Sequence, residues 1–125
     1  DYILLSSISE GLPQIIVESF SEGIPIISTN IKGFDIIIKD NINGFLFDIN
    51  GYDVIDDDLM IDYKYVLNSV NNEINLIKNI DILSAIIKKA IEININEYNV
   101  LQKNCYDTFD EFYNYKIDTL TLFDF

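Results

Sequence analysis

The chain predicts an α/β fold, a small parallel sheet flanked by helices, and three observations carry that prediction. Short apolar runs, Tyr2–Leu5, Pro25–Ser28 and Phe45–Phe47, are spaced for buried strands. The first two are separated by one helical segment, Pro13–Glu22, which Gly23 ends. Every glycine and both prolines lie at or before Gly51, after which the pattern becomes helical.

The elements follow in order. Residues 2–5 read as a strand buried on both faces, and Ser6-Ser7-Ile8-Ser9 turns out of it. Pro13 suits a first helical turn, where its missing N–H is no loss. The helix about 13–22 carries Ile16, Val17 and Phe20 on an apolar stripe and Gln14, Glu18 and Glu22 on a polar face. Gly33 opens a turn, Asp35–Lys39 is a short helix or strand, and Asn43-Gly44 turns into the third strand. Asp53–Asp58 is an acidic loop. Asp81 caps a helix of about 82–93, with Ile74, Ile77, Leu83, Ile86, Ile87 and Ala90 recurring at helical spacing. A second helix, about 95–112, aligns Leu101, Cys105, Phe109 and Phe112, and the tail Asn114–Phe125 adds a short one. The chain thus divides into a strand-and-turn half, residues 1–50, and a half of acidic loop and C-terminal helices, residues 51–125.

Composition narrows the function. The 125 residues carry a formal net charge of −13, with no His and no Arg. That excludes nucleic acid and anionic membrane surfaces as partners of this segment. The single Cys105 rules out an internal disulfide and suits a reducing compartment. Without His or a close Cys pair the chain offers no metal cluster, so no metal or cofactor is expected. No apolar run is long enough to cross a bilayer.

The chemistry is concentrated in Ser7–Phe47. Glu10 and Glu18 stand eight positions apart, and Gly11-Leu12-Pro13 follows the first. A strand, a tight glycine turn and a helix carrying an acid are the parts of a nucleotide-binding α/β unit. The G-x-G-x-x-G fingerprint is missing, which excludes a dinucleotide motif. Glu10 falls in the loop where a strand ends and a helix begins, the place where ligands collect in open α/β sheets. Gly11 lets the backbone come close to a ligand, and the helix start favours an anion. A carboxylate at Glu18 can accept two hydrogen bonds from a vicinal diol. Taken singly, each has a plain alternative: solvated acids at Glu10 and Glu18, a turn glycine at Gly11.

Together these spacings resemble the retaining nucleotide-sugar glycosyltransferases of family 4, also called glycosyl transferases group 1. The residues in register are Ser7, Glu10, Gly11, Pro13, Glu18, Gly23, Pro25, Ile26, Ile27, Gly33, Asp40, Asn43, Gly44, Phe45 and Leu46. The resemblance covers the first 50 residues strongly and the rest loosely. It implies a Rossmann-like sheet forming part of the C-terminal domain of a GT-B fold, whose N-terminal Rossmann-like domain would precede this chain. It further implies a nucleotide-sugar donor and a glycan or lipid acceptor, and places the work in the cytoplasm, with contact at the inner membrane face through the missing domain. By the same resemblance Glu10 is the catalytic residue facing the transferred sugar, Glu18 holds the ribose, and Gly11, Leu12 and Pro13 complete the donor site. Attack comes from the front face of the sugar, with the leaving phosphate aiding proton removal. Three positions depart from the family's pattern. Lys32 replaces a glycine, Ile36 a glutamate and Asn41 a glycine. The rival readings are a non-catalytic truncated remnant and a degenerate glycosyltransferase-like binding subunit.

Overall fold

The computed structural model describes residues 1–6, 14–30, 36–50 and 72–123, with side chains through residue 112. Three parallel strands, β1 (Ile3–Leu5), β2 (Ile26–Thr29) and β3 (Gly44–Phe47), lie in the order β1-β2-β3. Ile3 stands opposite Ile26, and Ile26 opposite Gly44. Helix α1 (Gln14–Ser21) joins β1 to β2, and two long helices, α2 (Glu73–Glu92) and α3 (Ile95–Phe123), close the chain.

Strand alternation divides the core in two. On one face Ile26 meets Ile16 and Phe20 of α1, Ile38, and Cys105 of α3, all buried. On the other, Ile27, Phe45 and Phe47 meet Ala90 of α2 and Leu101 of α3. Helix α3 therefore contributes to both faces, with Leu101 on one and Cys105 on the other.

Local chemistry explains where the elements start and stop. Helix α1 ends at Gly23, whose φ of 67° only glycine adopts freely. A side chain there would also strike the ring of Tyr106, so α3 packs directly on the turn. Helix α3 begins where expected because Asn94 and Glu97 cap it reciprocally: Asn94 Oδ1 accepts from the Glu97 amide and Asn94 Nδ2 donates to Glu97 Oε1, both at 2.9 Å. Gly44 lies so close to the backbone of Ile26 that any Cβ would collide with it.

Several expectations need correction. Helix α2 starts at Glu73, nine residues before Asp81's successor would place it, because Asn72 is the cap and accepts from the Asn75 amide. Asp81 is a mid-helix residue. The expected stripe divides: Ala90 is buried, whereas Ile74 and Ile77 face solvent. Helix α3 does not stop near residue 112 but continues to Phe123 with no separate tail helix. Of Asp35–Lys39, Asp35 lies outside the described residues, Ile36 is 3-10 helical, Ile37 is a turn, and Ile38 and Lys39 are irregular. Strand β1 is not buried on both faces. Leu4 is 47% exposed, because α2 packs over β3 and leaves that side of β1 open. The acidic run Asp53–Asp58 lies outside the described residues.

Candidate functional site

The carboxyl ends of the three strands, Leu5-Ser6, Thr29-Asn30 and Phe47-Asp48, define one edge of the sheet. Parallel α/β sheets bind ligands outside this edge. A cavity of about 220 Å³ opens there, lined by Ser6, Thr29, Phe47 and Ile49 from the sheet side and by Leu76, Asn79, Ile80 and Leu83 from α2. Its polar rim is anchored. The Asn50 amide donates to Asn79 Oδ1 at 2.6 Å, and Asn79 Nδ2 returns a bond to the Asn50 carbonyl. Across the strand ends Asn30 Nδ2 donates to Asp48 Oδ1 at 2.9 Å.

Of the expected donor residues, Glu18 is described. It lies in the second turn of α1 and is exposed, while Ile16, Ser19 and Phe20 on the same helix are buried. Its backbone carbonyl accepts from Ser21 Oγ at 2.6 Å, and no described residue pairs with its carboxylate. The acid is thus held on a helix whose opposite stripe is fixed in the core, and it is open to a ligand. Glu10, Gly11, Leu12 and Pro13 lie outside the described residues, as do Lys32 and Gly33. The structure therefore places Glu18, and the expected pairing of Glu18 with Glu10 lies outside the described residues.

The turn before β3 holds residues that sequence reading treated only as a turn. Asn43 is fully buried, and its side chain is saturated. Its Oδ1 accepts from the Lys39 amide at 2.8 Å, and its Nδ2 donates to the Ile37 carbonyl and to Thr108 Oγ1, each at 3.0 Å. Asn104 Nδ2 of α3 donates to the Ile42 carbonyl at 2.8 Å. Two asparagines, one on each side, thereby tie the turn to α3. Asn41 adopts a φ of 63°, which suits an asparagine in place of glycine. Lys89 of α2 donates to Asn41 Oδ1 and lies 5.0 Å from the Phe45 ring centroid. Ile36, where the family carries an acid, is 74% exposed.

Among the described residues no group of three or more His, Cys, Asp or Glu side chains could hold a metal ion. Nor is any described helix long and apolar enough to cross a membrane. Tyr106 of α3 packs on Gly23 and donates to the Glu22 carbonyl at 3.3 Å.

Residues 1–61 match the family described as Glycosyl transferases group 1. The parallel sheet, the acid-bearing α1 and the Asn43-Gly44 turn give that stretch a Rossmann-like α/β scaffold, and its sequence is similar to the group 1 glycosyltransferases. A relative in Escherichia coli, a UDP-Gal:alpha-D-GlcNAc-diphosphoundecaprenol alpha-1,3-galactosyltransferase, is 34% identical over 90 residues. That alignment covers 65% of this chain and 23% of the relative, so the chain spans about a quarter of the protein it matches. No solved structure matches the chain.

Proposed function

We propose that this chain is the donor-binding part of a retaining nucleotide-sugar glycosyltransferase, whose N-terminal Rossmann-like domain supplies the other wall of the cleft. The observation that carries the reading is Glu18, exposed on a helix anchored by Ile16 and Phe20, within a stretch that matches the group 1 family. In this reading Glu18 accepts both hydroxyls of the donor ribose. Glu10 faces the transferred sugar and stabilises the charge that develops on its ring. Gly11, Leu12 and Pro13 bring backbone close to the donor, and no metal or other cofactor takes part. The relative's printed acceptor is a lipid-diphosphate sugar. A lipid-linked glycan is accordingly the first acceptor class to try, with the enzyme working in the cytoplasm at the inner membrane face.

Two isosteric variants of the whole enzyme test the division of labour. Glu18→Gln should weaken both the free nucleoside diphosphate and the intact donor by roughly 1.5–3 kcal/mol, the value of hydrogen bonds to a charged group. Glu10→Gln should leave nucleoside diphosphate affinity nearly unchanged and lower turnover. Isothermal titration and steady-state rates read the two effects. Equal loss of diphosphate affinity in both variants would overturn the assignment of roles.

Ile36 favours a second reading. An exposed isoleucine where the family carries an acid suits a degenerate copy that acts as a non-catalytic remnant or binding subunit. Unmodified enzyme that binds no sugar nucleotide across a donor panel would establish that reading instead.

A further inference from the structure

Helix α1 is eight residues long, too short to keep its place without tertiary support. Its C-terminal end is closed by a Schellman turn. The Gly23 amide donates to the Phe20 carbonyl at 3.1 Å, and the Ile24 amide to the Ser19 carbonyl at 2.9 Å. Ser21 Oγ donates to the Glu18 carbonyl at 2.6 Å. The Glu22 carbonyl is left over by this turn, and the Tyr106 hydroxyl of α3 donates to it at 3.3 Å. The same ring stands directly over Gly23, where a Cβ would lie 2.5–2.8 Å from three of its atoms. Cys105 and Phe109, its neighbours on α3, enter the core around Ile16 and Phe20. Helix α3 thus holds α1 both at its buried stripe and at its last turn.

We propose that Tyr106 is a positioning residue for the donor site: it sets the tilt of α1, and so where the Glu18 carboxylate meets the ligand. The proposal rests on the reading of Glu18 as the ribose acceptor. Glu22 follows Glu18 by four residues, one helical turn or about 6 Å along the axis. A carboxylate that holds a diol must keep two oxygens at hydrogen-bond distance, a range of about 0.5 Å. A small tilt of so short a helix takes the carboxylate out of that range before its apolar stripe leaves the core. Tyr106 therefore acts through the α1 backbone rather than on the donor. It lies outside residues 1–61, so donor affinity depends on a helix that the family-matched stretch does not contain.

A double-mutant cycle on the whole enzyme tests this, with nucleoside diphosphate affinity read by isothermal titration. Tyr106→Ala removes ring and hydroxyl, and Tyr106→Phe the hydroxyl alone. The expected loss is roughly three- to tenfold for Tyr106→Ala, part of what a lost Glu18 carboxylate costs, and smaller for Tyr106→Phe. In a Glu18→Ala background both changes should move affinity by less than about twofold, because the group they position is gone. Donor KM should rise while turnover at saturating donor holds, as for a contact made equally in ground and transition states. A merely structural tyrosine would lower stability and leave the affinity of the folded enzyme constant. If Tyr106→Ala fails to fold, Tyr106→Phe decides through the same cycle. Unchanged affinity in the folded Tyr106 variants would overturn the proposal, and so would an equal loss with and without Glu18. Either result leaves the ribose reading standing. No loss in Glu18→Ala itself would overturn the ribose reading and this proposal with it.

Discussion

The two faces of the sheet are built to different standards. On the α1 face Ile16, Phe20, Ile26, Ile38 and Cys105 are each at most 1% exposed. The polar groups at its border are also engaged: Asn43 makes three side-chain bonds, and Cys105 Sγ lies 3.2 Å from the Asn43 carbonyl. On the α2 face the strand residues are buried, but α2 itself buries only Ala90. Ile74, Leu76, Ile77, Ile80 and Ile91 of that helix face solvent. Its polar fastenings are Asn79 to Asn50 near one end, and Lys89 to Asn41 and Tyr2 Oη to the Ala90 carbonyl, 2.8 Å, near the other. The lesson is that apolar content does not measure how tightly a helix is held. Helix α1 has fewer isoleucines than α2 but sinks its stripe into a complementary surface, and interdigitation is what makes burial count.

That contrast can be broken on the tight face first. Phe20→Ala should cost about 3–5 kcal/mol, the usual range for emptying a buried phenylalanine site. That removes a large share of the roughly 5–15 kcal/mol an ordinary domain has. Urea unfolding should show the midpoint lowered by well over about 1 M, at a slope of about 1–3 kcal/mol per M. Asn43→Ala comes next. It leaves the Lys39 amide, the Ile37 carbonyl and Thr108 Oγ1 without their shared partner, for a loss of about 1–3 kcal/mol. The same titration should show a lower midpoint with an unchanged slope. The smallest effect is expected on the loose face. Ile77→Lys should change stability by no more than about 0.5 kcal/mol, as for a solvent-facing position. A loss above about 1 kcal/mol there would show that the α2 surface is covered, and the contrast between faces would fail.

The sheet was legible because its signals are local. Gly23, the Ile24-Pro25-Ile26-Ile27 run and Asn43-Gly44 each determine their own conformation, and strand order follows from one helical crossover between β1 and β2. The start of α2 was not legible. Asn72 and Asp81 are equally good caps on paper, and no Gly or Pro between them interrupts the helix, which left Asp81 inside it. The exposure of Leu4 was also hidden, because it depends on where α2 lies over the sheet rather than on any property of Tyr2–Leu5. For the candidate site, the sequence pattern located Glu18 on a helix with an exposed polar face, and the structure agrees. Asn43 escaped because its three partners include Thr108, sixty-five residues away, and no local pattern announces such a bond.

The lone thiol gives this fold a chemical clock. Cys105 is the chain's single cysteine, and burial pushes its pKa up to about 12. Only the thiolate attacks a disulfide reagent, so the folded molecule is inert at neutral pH and labelling waits for the α1 face to open. The labelling rate at neutral pH then reports how often Phe20 and Ile38 part from α3, with no added probe. The same thiol sets an alkaline limit. Folding favours its protonated form, so that contribution is fully present below the ordinary thiol range and is lost as pH climbs toward 12.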